Sequence, residues 1–465
     1  MARITEVTIK GYRSVKEVNF SFPEGCPLVL VGENNSGKSN IVSAIEVVLG
    51  ESWPGTYSPE DHDFWGRDRT TGRIEITVKL TPFTTQVSGQ QVEVRGFRLR
   101  YDCSQGERCS FHALTDMGEK HVSNEMREKC VCIVVGADRR LSYQLSYSSK
   151  WTLLSKLMRK FHQHLTSNEQ RKRKLRDKFE ELKRIFEEVQ EFADFRKRLR
   201  ERLGGLIESM THGLEIDFSA YDPNNYYRSL RVFPYESGQV RTFDELGSGE
   251  EQLLAMAFAH AYAKAFHENI LLVIEEPEAH LHPLAQKWLA SKVLEMARDG
   301  LQIVLTTHSP SFVNMSCLDG IVLVRKVGGA TTVTQITEDQ LTAHCIRCGV
   351  PEGRVRNLSP ASFYEACATE EILSGFFAKK VVLVEGATEV LSLPIYLSKV
   401  GLNPDKEGVA IINVMGKGNL AKWWRLFTAY EIPTYVVFDN DSQDDRNGKK
   451  RRDALQTIGV ANIDK

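Results

Sequence analysis

The chain has no apolar run long enough to cross a membrane. A transmembrane helix needs roughly eighteen or more consecutive apolar residues, and no stretch of the 465 residues approaches that length. The first residues, Met1-Ala2-Arg3-Ile4-Thr5, lead directly into a predicted strand and lack the apolar region of a signal peptide. We therefore expect a protein without a membrane partner.

A regular cysteine pattern is also absent. The nine cysteines are odd in number and irregular in spacing, and most lie in apolar runs, as Cys130 and Cys132 do. Cys345 and Cys348 form one C-x-x-C without a second pair nearby. A zinc or redox role is one interpretation, but two reduced, partly buried thiols are favoured. Reduced thiols indicate a cytoplasmic location.

The chain has no surplus of basic charge. Its 60 Lys and Arg residues and 61 Asp and Glu residues give a net charge of −1. A neutral total does not indicate nucleic-acid binding, although it is compatible with a local basic face. Basic runs at residues 171–174 and 196–198 lie among acidic residues and are interpreted as a solvated helix face.

Glycine and proline are nearly missing from residues 151–210, where the only glycines are the adjacent pair Gly204 and Gly205. Apolar residues recur there at helical spacing on an otherwise charged background. Helices with such a narrow apolar stripe usually pair with each other or with a partner. We interpret the region as a helical insertion that mediates dimerisation. The alternative is a hairpin that packs only on its own chain.

A phosphate-binding loop is present at Gly32-Glu33-Asn34-Asn35-Ser36-Gly37-Lys38-Ser39, which matches G-x-x-x-x-G-K-[ST]. A predicted strand precedes it and a predicted amphipathic helix follows it. The glycines let backbone amides close around phosphate oxygens, Lys38 supplies positive charge, and the Ser39 hydroxyl can ligate Mg²⁺. The alternative is a glycine-rich turn without a ligand. The predicted nucleotide-binding residues are Gly32, Asn34, Asn35, Ser36, Gly37, Lys38, Ser39, Asn40 and Arg13.

Two further apolar runs end on polar groups. Residues 270–274 lead into Glu275-Glu276-Pro277-Glu278, and residues 301–305 lead into Thr306-Thr307-His308. Short branched runs of this kind are typical of buried parallel strands. The carboxyl ends of such strands form the edge at which open α/β sheets bind ligands.

A second set of strands lies near the carboxyl end of the sequence. Residues 380–384 end on Glu385, with Glu389 close behind, residues 409–414 precede Lys417, and residues 435–438 end on Asp439-Asn440-Asp441. Carboxylates at neighbouring strand ends would converge on a hard cation such as Mg²⁺. The alternative for the two aspartates is a simple turn. Residues 449–452, Lys-Lys-Arg-Arg, could hold a DNA backbone beside this site. The predicted metal ligands here are Glu385, Glu389, Asp439 and Asp441, with Lys417 as a supporting residue.

The first unit resembles the ABC-type ATPase heads of SMC and RecF-like proteins. This resemblance implies that Glu276 orients the attacking water, that Glu275 faces Mg²⁺, and that His308 is the switch histidine. Phosphoryl transfer needs mainly positioning and charge neutralisation, which these groups and Lys38 would supply. The resemblance also assigns Ser248, Gly249 and Glu250 to the motif that contacts nucleotide bound to a partner head, so it implies a homodimer. His280 and His282 match the D-loop segment, and Asp63 is a candidate for the Q-loop position, where the usual glutamine is not obvious.

The second unit resembles a Toprim domain, and the whole chain resembles the OLD (overcoming lysogenization defect) family of ATP-regulated nucleases. The expected fold is α/β: an ABC-type head with an inserted helical dimerisation region, followed by a smaller α/β Toprim domain. The expected segments are 1–150 and 211–340 for the ATPase, 151–210 for the insertion, 341–378 for a helical connector and 379–465 for the Toprim domain.

The resemblance implies a DNA endonuclease that uses ATP and Mg²⁺ or Mn²⁺ and acts against foreign DNA, with room for an unidentified protein partner. A RecF/SMC-like DNA-binding ATPase with a regulatory Toprim domain is the alternative. Toprim domains of this family usually continue well past the D-x-D, whereas only a helix and a strand fit before Lys465. We therefore expect weak cleavage by this chain.

Overall fold

The computed structural model describes two compact units, residues 1–139 with 256–465 and residues 140–255. Each unit is considered by itself. The described residues are 2–50, 52–69, 72–87, 89–103, 109–135, 152, 154–155, 157–159, 161, 167–190, 194, 232, 235–236, 239–241, 245–266, 270–279, 281–353 and 360–438.

Twelve of the described strands form one large sheet in the first unit, in the order β7-β6-β5-β4-β1-β2-β14-β13-β3-β12-β11-β8. Strands β13, β3, β12, β11 and β8 run parallel to one another, whereas β1, β2 and β4 to β7 form an antiparallel wing. Their bounds are β1 Ile4–Tyr12, β2 Val15–Ser21, β3 Leu28–Val31, β4 Arg73–Val87, β5 Gln90–Asp102, β6 Cys109–Thr115, β7 Gly118–His121, β8 Val131–Val135, β11 Ile270–Glu275, β12 Gln302–Thr306, β13 Ile321–Val327 and β14 Ala330–Gln335.

Burial explains why the two halves of the sheet differ in sequence. Every residue of β3 and β12 is buried, so these strands are continuous apolar or weakly polar runs. In the wing, β2 alternates between buried and exposed positions, which is the pattern of a sheet with one solvated face. The predicted parallel strands are confirmed. The sequence also predicts antiparallel strands over 73–80 and 91–99, and the wing extends further, to β6 and β7.

Helix α1, Lys38–Leu49, packs its apolar side chains, among them Ile41, Ile45 and Val48, into the core beneath the sheet. The sequence predicts this helix over 39–49, so it begins one residue earlier than predicted. The other described helices of this unit, with the part of α4 that reaches into it, are α2 Asn124–Glu128, α4 Ser248–Phe266, α5 Pro283–Arg298, α6 Glu338–Arg347, α7 Pro360–Cys367, α8 Glu370–Leu373, α9 Ala387–Lys399, α10 Pro404–Glu407 and α11 Lys417–Ala429.

A second, smaller parallel sheet has the order β16-β15-β17, with β15 Lys380–Val384, β16 Val409–Asn413 and β17 Thr434–Val437. Helix α11 buries Trp423, Leu426 and Phe427. The three predicted strands are confirmed, and so is the α/β fold class.

Hydrogen bonds at β13 and in the segment just before it connect the two sheets of this unit. The Arg325 guanidinium donates hydrogen bonds to the carbonyl of Lys379 at 2.7 Å and to that of Glu431 at 3.3 Å. The buried Tyr430 hydroxyl donates to the Leu318 carbonyl at 3.1 Å. The bond from Arg325 to Lys379 holds the residue before β15 against β13, the strand next to β3.

The second unit contains helix α3, Glu169–Glu187, and a short hairpin of β9 Tyr235–Glu236 and β10 Gln239–Val240. On and after α3, Ile185 is 59% exposed and Val189 is 47% exposed. Gly204 and Gly205 lie outside the described residues. So do the apolar runs at 214–218 and 230–233, apart from residue 232; the sequence predicts these runs as strands of the ATPase. The domain boundaries and the dimerising role of the insertion stay predictions.

Three observations concern the predictions made from composition. Cys345 and Cys348 are free thiols, as predicted. Cys26 and Cys317 form a disulfide across 291 residues of sequence, which the sequence analysis did not foresee. In the described part of the chain, no helix combines the length and apolarity that a bilayer-crossing segment requires.

Candidate functional site

The phosphate loop joins β3 to α1 in a conformation that needs its glycines. Gly32 has a φ of +142° and Gly37 a φ of +110°, values that L side chains rarely adopt. A Cβ on Gly32 would lie 2.1 Å from the Val324 carbonyl oxygen of β13. A side chain at position 32 would therefore clash with β13.

Lys38 is buried inside this loop and is 6% exposed. Its ammonium group donates hydrogen bonds to the carbonyls of Gly32 and Glu33, both at 2.9 Å. Burial lowers the pKa of Lys38 to about 8, against the opposing effect of the carboxylates of Glu276, Glu278 and Glu33. The lysine is thus a cation held at the loop in a partly desolvated setting.

Hydrogen bonds among polar side chains support the phosphate loop. Thr331 donates to the Ser36 carbonyl at 2.9 Å, Ser14 lies 2.7 Å from the Thr331 hydroxyl, and Asn40 donates to Ser14 at 2.6 Å. The Asn40 amide, predicted to bind nucleotide, therefore supports the loop. Asn34, Asn35 and Ser39 are exposed on its open side.

The ends of β11 and β12 bring the predicted catalytic residues together beside Lys38. Glu276 has a φ of +46°, and its N–H donates to the Thr306 carbonyl at 2.9 Å. Its Oε1 lies 3.8 Å from Nε2 of His308. Burial and the charge of Lys38 lower the pKa of His308, while the two nearby glutamates oppose that shift. Glu275 ends β11 opposite Thr306.

Glu278 was not assigned a role from the sequence, yet its carboxylate lies within this cluster. One oxygen, Oε1, accepts a hydrogen bond from the backbone N–H of His308 at 2.5 Å. The acidic residue two positions after Glu276 was visible in the sequence, but only the pairing of β11 with β12 brings it to the histidine.

Asp63 and Arg13 form an ion pair with each other. Arg13 Nε donates to Asp63 Oδ1 at 2.9 Å, and the Arg13 N–H donates to the Asp63 carbonyl at 2.7 Å. Burial raises the pKa of Asp63, but the hydrogen bond from Arg13 and further hydrogen bonds outweigh this effect and keep it below its usual value. Their roles as Q-loop and nucleotide-binding residues stay predictions.

The partner-head motif and the D-loop segment are only partly described. Gly247 donates its N–H to Oε2 of Glu250 at 3.0 Å at the start of α4, and Gly249 is buried. His282 caps α5 by accepting the Leu284 N–H at 3.3 Å. The side chain of Ser248, and His280 altogether, are outside the part of the chain that the structure describes.

The smaller sheet presents an acidic and a basic side chain at its carboxyl edge. Lys417, 4% exposed, lies 3.7 Å from Oε2 of Glu385, which directly follows β15. The Glu385 carbonyl accepts the Gly416 N–H at 2.8 Å. Glu389 instead accepts the Gly386 N–H at 2.9 Å and caps α9.

The expected adjacency of β15 and β17 is confirmed, because Val384 pairs with Val437. In sequence, Asp439 and Asp441 come after residue 438, the last described residue, which follows β17. Both aspartates lie beyond the described residues. Within the ranges that the structure describes, no three His, Cys, Asp or Glu side chains group as a metal site.

Three buried polar atoms fit the expected ligands. Ser36 Oγ, Glu278 Oε2 and Glu385 Oε2 lack a hydrogen-bond partner, whereas such atoms are normally satisfied. The first two lie in a cluster with a glycine cradle and a lysine, which suits a magnesium-bound polyphosphate. The third is a carboxylate oxygen beside a lysine, which suits a divalent cation next to a phosphate.

Comparison with known proteins agrees with this arrangement. Residues 3–88 and 82–313 match the family described as AAA ATPase domain. Residues 376–441 match the family described as overcoming lysogenization defect protein-like, TOPRIM domain.

Two curated proteins are similar to the chain. An OLD nuclease of Thermus scotoductus is 28% identical over 467 residues, which cover 94% of this chain and 82% of that protein. The Old nuclease of Escherichia phage P2 is 26% identical over 241 residues, which cover 49% of this chain and 39% of that protein.

Among solved structures, an Smc head domain with an extended coiled coil from Pyrococcus furiosus, bound to the C-terminal domain of ScpA, aligns with a TM-score of 0.44 and 16% identity. That alignment covers 75% of this chain and 99% of that one. The SMC head domain of Thermotoga maritima aligns with a TM-score of 0.34 and 14% identity, and this alignment covers 72% of this chain and 99% of that one.

The match of residues 3–313 to one family spans more than half of the 465 residues. The chain therefore belongs to the AAA ATPase domain family, and its ATPase domain is followed by a segment that matches the OLD-like TOPRIM domain.

Proposed function

We propose that the chain hydrolyses ATP at the edge of its large sheet and cleaves DNA with Mg²⁺ or Mn²⁺ at the edge of its small sheet. The observation that carries the proposal is the buried Lys417 beside the partly exposed Glu385 at a strand end, in a chain whose phosphate loop, Glu276 and His308 also lie together. The relatives named nucleases support the second activity.

In the ATPase reaction, the backbone amides of the phosphate loop would bind the phosphates, and Lys38 would neutralise their charge. Ser39 and Glu275 would hold Mg²⁺, which supplies further charge neutralisation on the phosphate oxygens. The half-exposed Glu276 carboxylate would orient the attacking water. A neutral His308 suits a hydrogen bond to a phosphate or to that water, since its pKa is lowered. A homodimer would bring Ser248, Gly249 and Glu250 of one head to the nucleotide of the other.

In the nuclease reaction, Glu385, Asp439 and Asp441 would hold a divalent cation, which supplies an activated water and stabilises the leaving oxygen. Lys417 would orient the Glu385 carboxylate and attract the phosphodiester. The basic residues 449–452 would hold the DNA backbone. Defence against foreign DNA is the biological role that we propose for this activity.

The test is cleavage of supercoiled plasmid with Mg²⁺ or Mn²⁺, with and without ATP. We expect metal-dependent nicking by the wild type and its loss in Glu385→Gln. Asp405→Asn is the matched control, because Asp405 is an exposed carboxylate on α10 of the same domain. DNA binding and ATP turnover without any cleavage by the wild type would instead favour the RecF/SMC-like alternative.

A further inference from the structure

The segment that leads into β15 lies against the nucleotide site. The Phe377 and His308 rings are 6.4 Å apart between centroids. Two residues later, the Lys379 ammonium lies 3.9 Å from Oε2 of Glu33, the second residue of the phosphate loop. A short stretch before the small sheet therefore contacts both the switch histidine and the phosphate loop.

The main chain of Lys379 is held firmly. Its carbonyl accepts the Arg325 hydrogen bond at 2.7 Å, and its N–H donates to the Gly408 carbonyl at 2.8 Å. The residue before Arg325, Val324, is the one whose carbonyl closes over Gly32. Consecutive residues of β13 thus fix both the phosphate loop and Lys379.

The side chain of Lys379 is less constrained than its main chain. Its methylene groups pass over Gly408, where a Cβ would lie 3.0 Å from Cγ and Cδ, and the side chain is 56% exposed. A lysine ammonium on a flexible stem can therefore exchange one anionic partner for another nearby.

The ion pair of Lys379 with Glu33 is poorly compatible with a nucleotide bound in the phosphate loop. Glu33 places a carboxylate in the loop that would wrap the phosphates of ATP, and like charges at short range repel. An arriving polyphosphate would displace the Glu33 carboxylate and attract the Lys379 ammonium.

We propose that Lys379 is a nucleotide-binding residue supplied by the Toprim side of the molecule. When ATP binds, the Lys379 ammonium group moves away from Glu33 and contacts the terminal phosphate. The proposal rests on the proposed ATP site. Because Lys379 immediately precedes β15 and Glu385 immediately follows it, one strand then links the occupancy of the nucleotide site to the Toprim carboxylate. Pairing of β15 with a parallel strand on each side makes it a stiff connection.

The experiment compares Lys379→Met with Lys380→Met. Both variants remove one exposed ammonium and keep an aliphatic stem, but Lys380 has no described contact with the phosphate loop. We expect Lys379→Met to weaken ATP binding about tenfold and ADP binding less than about twofold, as for loss of a charge-assisted hydrogen bond at an exposed position. Lys380→Met should change neither. Fluorescent nucleotide analogues give both dissociation constants, and the thermal midpoint confirms that each variant is folded.

A second pair of variants tests the exchange itself. Glu33→Gln should tighten ATP binding in the wild-type background more than in the Lys379→Met background. Only in the wild-type background does the loss of the Glu33 carboxylate free the Lys379 ammonium group. Equal effects in both backgrounds would overturn the exchange.

The outcomes separate this inference from the proposed function. Wild-type protein that does not bind ATP, or Lys38→Ala that binds it normally, would contradict the ATPase proposal and this inference with it. Loss of binding in Lys38→Ala together with equal ATP affinity in Lys379→Met and Lys380→Met would overturn this inference alone.

Discussion

At the scale of single residues, three glutamates near the end of β11 have three different environments. Glu275 ends the strand, Glu276 extends from a left-handed backbone position into a half-exposed setting, and Glu278 binds the His308 N–H. Only Glu276 combines access to water with proximity to His308. Backbone geometry thus places three residues of one type in three environments, which supports the proposed water-orienting role of Glu276.

Replacement of Glu276 by glutamine should leave ATP binding intact and slow hydrolysis at least ~100-fold, because the amide cannot accept a proton from the attacking water. Steady-state phosphate release together with nucleotide binding measures both effects. Glu295→Gln, an exposed change on α5, is the control. Turnover near the wild-type rate would remove Glu276 from the mechanism.

The pH dependence of ATP binding should report the buried Lys38. With a pKa of about 8 in the free protein, the side chain is charged below that pH and neutral above it, whereas bound phosphates would raise its pKa. ATP affinity should therefore be constant below pH 8 and fall by up to about tenfold per pH unit above it. Titration calorimetry between pH 7 and 9.5 measures this fall and the accompanying proton uptake.

Lys38→Arg is the matched variant for that titration, since its guanidinium stays charged throughout the range. Its ATP affinity should be flat with pH, whatever its absolute value. An unchanged wild-type affinity up to pH 9.5 would mean that Lys38 keeps an ordinary pKa.

At the scale of elements, helix α3 carries an exposed apolar side chain on an otherwise charged surface. Ile185 is 59% exposed on a strongly charged helix. This observation supports the proposal that the insertion meets its copy in a symmetric dimer.

Replacing residues 151–210 with a short linker should therefore convert a dimer into a monomer in the absence of ATP. Light scattering coupled to gel filtration measures the mass, and ATP binding by the shortened chain serves as the control for folding. An unchanged dimer mass would contradict the proposal that this region forms the dimer contact.

At the scale of the whole molecule, the two proposed reactions lie on separate sheets. The ATPase residues occupy the edge of β3, β11 and β12, whereas Glu385 occupies the edge of β15. Contacts through Arg325 and Tyr430 connect the sheets without sharing a side chain between the two sites.

Asp439→Ala should consequently abolish metal-dependent cleavage and leave ATP turnover within about twofold of wild type, since removing one ligand from a carboxylate site disrupts cation binding locally. Asn440→Ala, the residue between the two aspartates, is the control. Full cleavage by Asp439→Ala, after removal of contaminating nuclease, would exclude these aspartates as the catalytic metal site.

The sequence by itself determined the parts that depend on short stretches of chain. The strand, phosphate loop and helix over residues 28–49 were predictable, because apolar runs, glycines with positive φ and helix starts are local properties. The same holds for the polar residues at the ends of β11, β12 and β15. Their convergence could be expected from the general rule that parallel strands share a carboxyl edge.

Only the tertiary structure decided the contacts between distant segments. The Cys26–Cys317 disulfide, the bond from His308 to Glu278 and the approach of Lys379 to Glu33 each join residues whose spacing in sequence carries no signal. These contacts depend on which strands become neighbours, and β3 lies between β12 and β13, which follow it by more than 250 residues. Side-chain patterns specify which face of a strand is buried, but the packing of the whole sheet selects its neighbours.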